Sequence, residues 1–170
     1  MNPHSQLPFV TSAEAPSARL VHLVACEAHA AVTTLLGEHA AFLQGQGFSA
    51  KDGAFTLLPG EGGVGAALLC VASVRSNDPD AFGILGTALP EGDWTVVLHG
   101  LEALALESAL LGFCMGAYRF GLGEAKPRAT RMVVPDDATR LVALSKAVWF
   151  GRDLINMPAN LLGPRELAEM

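Results

Sequence analysis

The sequence predicts an α/β fold of three layers, with a mostly parallel sheet flanked by helices. Three observations carry that prediction. Short Val- and Leu-rich runs alternate with longer Ala- and Leu-rich segments for most of the 170 residues, the signature of strands crossing over through helices. One run, Ala66 to Ser73, is apolar without alternation, as a strand buried on both faces must be. The composition is that of a folded domain, with 51% hydrophobic and 16% charged residues, enough to bury a core at this length.

Residues 1–18 contain Pro3, Pro8 and Pro16 and read as an irregular amino-terminal arm. Arg19 to Val24 fits a strand. Glu27 to Gln46 is Ala-rich and reads as a helix, with Val32, Leu35, Leu36, Ala40 and Leu43 turned inward and Gly45 and Gly47 ending it. Ala54 to Leu58 fits a strand, and the Gly-rich stretch Pro59 to Gly65 a turn before the apolar run. Asn77-Asp78-Pro79 opens a helical segment over 79–88, with Asp78 as cap and Pro79 in the first turn. Asp93 to His99 is a further strand. Glu102 to Phe120 is a helix apolar nearly all round, which belongs inside a structure or beneath a partner; Gly121 and Gly123 end it. Arg128 to Val134 is the last strand. Asp136 or Asp137 should cap the following helix, whose Leu141, Leu144, Val148 and Ile155 are predicted to share one face. Pro158 ends it. The α/β domain is therefore placed at 19–156, with 157–170 a connector and the start of something further.

Composition excludes several function classes. The net charge is −6, with only 11 Lys and Arg scattered along the chain, so nucleic acid is not an expected partner. No apolar run is long enough for a transmembrane helix and the amino terminus lacks the plan of a signal peptide. No membrane partner is expected, and a cytoplasmic location is. Cys26, Cys70 and Cys114 are widely spaced and read as buried thiols in a reducing compartment.

Candidate sites resolve into structural readings. Gly60-Glu61-Gly62-Gly63-Val64-Gly65 has the spacing of a dinucleotide fingerprint, but a strand follows it where a helix is required, so it reads as a turn. His4, His22, His29, His39 and His99 include no helical zinc pair, and His22 and His99 alternate with apolar residues in strands. Glu102 and Glu107 lie five apart, a poor match for one helix face. Ser108 and Ser145 sit inside helices with no base nearby in sequence. No catalytic and no metal-ligating residue is proposed from the sequence, and no cofactor in this chain.

The most distinctive stretch is carboxy-terminal: Phe150-Gly151-Arg152-Asp153-Leu154-Ile155-Asn156-Met157-Pro158-Ala159-Asn160, then Gly163-Pro164-Arg165-Glu166-Leu167-Ala168. It resembles the junction between the two domains of leucyl aminopeptidases, the cytosol aminopeptidase or M17 family, with Met157 where Thr is usual. Tyr118-Arg119-Phe120 resembles the Tyr-x-Phe that ends the family's preceding helix. The order of elements is similar to the family's amino-terminal domain, which is macro-domain-like, and the departures mark a divergent member. The resemblance implies a full protein that removes amino-terminal residues from peptides, using two divalent metal ions, Mn or Zn, in a carboxy-terminal catalytic domain. It also implies a homo-oligomer, hexameric by analogy. None of the family's metal-binding motifs occurs here. Arg152, Asp153, Asn156, Pro158 and Asn160 match the junction and are assigned structural roles there: caps, ion pairs and turn bonds.

Gly163-Pro164-Arg165-Glu166 has the pattern of a helix start, and the sequence stops at Met170, too soon for a self-sufficient helix. The expectation is a non-catalytic amino-terminal domain separated from its catalytic half, inactive alone, and serving as scaffold, subunit contact or access control. The alternative is a free-standing macro-like module for an ADP-ribose type of ligand.

Overall fold

A computed structural model describes residues 6–28, 37–121 and 129–169. The strands are β1 (Phe9–Val10), β2 (Arg19–Ala25), β3 (Phe55–Gly60), β4 (Gly63–Val71), β5 (Gly92–His99) and β6 (Thr130–Val133). The helices are α1 (Ala40–Gly45), α2 (Leu85–Ala88), α3 (Leu104–Ala117), α4 (Thr139–Asn156) and α5 (Pro164–Ala168). Short 3-10 turns cover Cys26–Ala28, Gly37–His39, Ser73–Arg75 and Pro79–Phe82. The six strands form one sheet in the order β1-β6-β5-β2-β4-β3. Only β3 and β4 are antiparallel; β1–β6, β5–β6, β2–β5 and β2–β4 are parallel. The predicted α/β class is the observed one.

The unpatterned run does lie in the sheet interior. Ala67, Leu69 and Val71 of β4 meet one core cluster, while Ala66, Leu68 and Cys70 meet another. The first cluster joins Val21 and Leu23 of β2 to Phe82, Leu85, Leu110 and Phe113. The second joins Val24 and Leu58 to Phe42, Leu43 and Phe48 around α1. Full burial of Phe82 and Phe113 contributes about 1.5–3 kcal/mol each. The stretch predicted as a turn from Pro59 to Gly65 turns only at Glu61 and Gly62; Pro59–Gly60 and Gly63–Gly65 extend the paired strands, and Gly62 and Gly63 have φ of 76° and 142°, which side chains rarely tolerate.

Helix α3 is held by backbone contact as much as by side chains. Gly112 and Gly116 lie on the face toward Pro79–Ala88. A Cβ at Gly112 would overlap the Pro79 carbonyl oxygen, and one at Gly116 the Gly83 carbonyl oxygen. Gly86 lies equally close to the α3 backbone at Gly116 and Ala117. Asp78 caps the facing segment as predicted, accepting from the Asp80 amide at 3.0 Å, with Pro79 at its start.

Four further expectations are corrected. The arm is not irregular throughout: Phe9 and Val10 pair with Met132 and Val133, a contact distant in sequence that no local pattern announces. The segment predicted as one helix from Glu27 to Gln46 contains a 3-10 turn at Cys26–Ala28 and a short α1, with residues 29–36 outside the described residues. Neither Asp136 nor Asp137 caps α4; Ala138 holds that position without a side-chain bond. The buried face of α4 is Leu141, Ser145 and Trp149, whereas Leu144 is 37% and Ile155 84% exposed. The indole of Trp149 claims the contact with α3, and this rotates the apolar face away from Leu144.

Candidate interdomain junction

The carboxy-terminal half of α4 docks on the end of α3 through polar side chains. Trp149 enters first: its indole Nε1 donates to the Cys114 carbonyl at 2.9 Å, and its ring meets Tyr118 edge-on at 5.8 Å. One turn further, Arg152 Nη1 donates to the Met115 carbonyl at 2.5 Å. These two acceptors lie in the last turn of α3, where carbonyls lack intrahelical donors. Arg152 also brings its positive charge to the negative end of that helix, 5.5 Å from the Tyr118 ring centre.

Tyr118 closes the contact. It caps α3 in an extended conformation and its hydroxyl donates to Asp153 Oδ1 at 2.8 Å. Burial, and then the hydrogen bond to the Asp153 carboxylate, push the phenol pKa upward, so it remains a protonated donor. Asn156 Nδ2 donates to the Arg152 carbonyl at 2.8 Å and makes a long 3.5 Å contact with the Tyr118 hydroxyl.

Of the five junction residues predicted from sequence, three therefore converge. Arg152, Asp153 and Asn156 meet around Tyr118, each serving α3 or the helix end rather than forming an Arg–Asp ion pair. Pro158 is exposed, and its carbonyl accepts from the Leu161 and Leu162 amides at 2.8 and 3.0 Å, closing the turn that leads away. Asn160 is exposed on that turn, outside the cluster. Gly163 then starts α5, its amide donating to Glu166 Oε2 at 3.0 Å. Trp149 is the junction residue that sequence pattern alone did not single out. Its spacing of eight from Leu141 and four from Ser145 was the available signal.

The carboxyl ends of β2 and β4, on the side where α/β sheets receive ligands, are occupied by the protein's own carboxylates. The Ala72 amide donates to Asp52 Oδ1 at 2.9 Å, and the Ser73 hydroxyl to Glu27 Oε2 at 2.7 Å. These bonds hold both carboxyls below their usual pKa. Arg75 is engaged by Asp52 at 2.8 Å and Asp78 at 3.2 Å. An incoming phosphate would meet two fixed negative charges there.

The histidines contain one pairing that sequence spacing could not show. His22 Nδ1 and His99 Nε2 lie 2.9 Å apart across β2 and β5, half-buried; burial lowers both pKa values, and the neighbouring His99 and His39 lower that of His22 further. His4 and His29 lie outside the described residues. Among the described residues, no three His, Cys, Asp or Glu side chains converge as a metal site would need. Cys70 and Cys114 are buried, with thiol pKa values pushed up to about 11 by that burial; Cys26 is half-buried. Among the described residues, no helix is long and apolar enough to cross a membrane.

Comparison with known proteins gives a consistent picture. No curated protein sequence matches the chain closely enough to count as a relative. Among solved structures, cytosol aminopeptidase from Coxiella burnetii is 24% identical and superposes with a TM-score of 0.78, covering 95% of this chain and 36% of that one. The bottromycin maturation enzyme BotP, solved in complex with Mn, is 23% identical with a TM-score of 0.61, covering 90% of this chain and 35% of that one. At such identities the likeness is one of fold, and the chain spans about a third of the length of those proteins. A sequence profile described as M17 aminopeptidase, N-terminal domain, matches residues 21–135. The chain belongs to the M17 aminopeptidase amino-terminal domain family.

Proposed function

We propose that this domain is the non-catalytic amino-terminal part of a metal-dependent aminopeptidase that removes amino-terminal residues, leucine among them, from peptides. Its work is to act as a scaffold that fixes the direction in which the chain leaves α4. The observation that supports this is the cluster of Trp149, Arg152, Asp153 and Tyr118. It anchors the last two turns of α4 to α3 immediately before the connector at Met157-Pro158. A helix docked only by its first half would leave the exit direction free to vary.

The two divalent ions, Mn or Zn, belong in this reading to a catalytic half outside these 170 residues. The parent protein is a cytoplasmic homo-oligomer, hexameric by family resemblance. The ADP-ribose reading is disfavoured by Asp52 and Glu27, which occupy the amide and hydroxyl donors a phosphate would use.

Leucyl-anilide hydrolysis tests the reading. The 170-residue chain supplied with Mn or Zn is expected to show no turnover, and a longer polypeptide carrying the metal motifs of the family is expected to show it. Chelator-sensitive turnover by the 170-residue chain would contradict the assignment.

A further inference from the structure

Strand β5 has neighbours on both sides, yet its second half is unpaired on one of them. On the β2 side the ladder runs unbroken from Arg19–Trp94 to Val24–His99. On the β6 side it stops at Trp94–Met132. Beyond that point β6 stays with β1 alone: Val133 pairs with Val10, the Val134 amide donates to the Val10 carbonyl, and Pro135 follows. Alternate residues of a strand direct their backbone groups to the same side. The Gly92 amide donates toward β6, to the Ala129 carbonyl at 2.9 Å. Trp94, Val96 and Leu98 therefore face that side too. Among the described residues, no backbone partner meets Val96 or Leu98 there. Both residues are only half-buried.

A groove of about 230 Å³ opens at this place, lined by Val96, Leu106 and Val133 with Thr95, Ser12 and Asp136 among its polar groups. No cation is paired with Asp136 among the described residues.

We propose that this groove binds an extended peptide segment, which adds as a strand to the free half of β5 between β5 and the departing end of β6. The occupant follows from the chemistry. Two N–H and two C=O groups at a two-residue spacing complement another strand backbone. The apolar floor accepts alternate aliphatic side chains. The Asp136 carboxylate, which no cation pairs among the described residues, favours a cationic end, the peptide's own amino terminus or a Lys beside it. The inference rests on the sheet edge and stands apart from the aminopeptidase reading, because it needs no metal centre.

The test uses the 170-residue chain, labelled with nitrogen-15, titrated with the hexapeptide Lys-Val-Thr-Val-Thr-Val bearing a free amino terminus. The Val96 and Leu98 amide signals are expected to shift saturably and to become protected from hydrogen exchange. The same peptide N-methylated at alternate residues is expected to lose binding, and Asp136→Asn to weaken the parent peptide by up to about fivefold, the scale of an exposed ion pair. Asp136 is exposed and outside the core, so that variant leaves the fold intact. The proposal is overturned if millimolar peptide leaves Val96 and Leu98 unmoved, or if the N-methylated peptide binds equally well. It is also overturned if the two signals shift with protein concentration alone, which would make the edge a contact between two copies.

Discussion

The two seams of helix α3 make opposite use of the same helix. Toward Pro79–Ala88, Gly112 and Gly116 remove side chains so that backbone meets backbone. Toward α4, Trp149, Arg152 and Asp153 reach across with long polar side chains to the carbonyls of Cys114 and Met115 and the hydroxyl of Tyr118. The first seam has no freedom to adjust: any added atom overlaps a carbonyl. The second is a set of separate bonds, each removable at modest cost. A rigid platform lies on one side of α3 and a tunable attachment on the other, the division that the proposed scaffold role calls for.

Substitutions should separate the seams. The largest effect is expected from Gly116→Val, which forces α3 off Gly83 and should cost about 3 kcal/mol or more, read from the urea midpoint. Trp149→Phe removes the indole donor and part of the packed ring, and should cost about 2 kcal/mol. Tyr118→Phe deletes only a hydroxyl and should cost about 1 kcal/mol. If Gly116→Val proved milder than Tyr118→Phe, the contrast between rigid and tunable seams would fail. Smallest of all, Arg140→Ala removes a surface pair with Glu107 at 2.7 Å, the arginine being 74% exposed, and should change stability by about 0.5 kcal/mol or less.

A pH series adds a probe remote from both seams. His22 and His99 have pKa values lowered by burial, so the unfolded chain binds their protons more readily than the folded one. Their contribution is fully present above the unfolded value of about 6.5 and is lost as pH falls below it. Denaturation midpoints should drop between about pH 7.5 and 5.5, and His22→Gln should flatten that drop. The carboxylates Glu27 and Asp52, whose pKa values are also lowered, act in a separate window at lower pH.

The sequence made much of this legible where the cause was local. Ala66 to Ser73 announced a doubly buried strand because nearly every residue in it is small or apolar. Asp78-Pro79 announced a helical start because the cap and the proline need only each other's neighbourhood. Arg152, Asp153 and Asn156 were singled out by the family resemblance, and the structure places all three beside Tyr118. What stayed hidden depends on partners distant in sequence. Phe9–Val10 becomes a strand only because Met132 and Val133 lie beside it. Gly112 and Gly116 looked like incidental small residues in an apolar helix until the Pro79 and Gly83 carbonyls approached them. Ile155 fits an inward spacing but lies off the α4 face that carries Trp149, Arg152 and Asn156 to α3, and it is 84% exposed.

Hydrogen exchange at residues 150–157, compared between the parent chain and Tyr118→Phe, tests the central claim most directly. If the polar seam holds the end of α4, these amides exchange about fivefold faster in the variant, the kinetic image of about 1 kcal/mol of local opening, while Leu110 to Cys114 of α3 stay as protected as before. Unchanged exchange at 150–157, or an equal rise along both helices, would contradict the account.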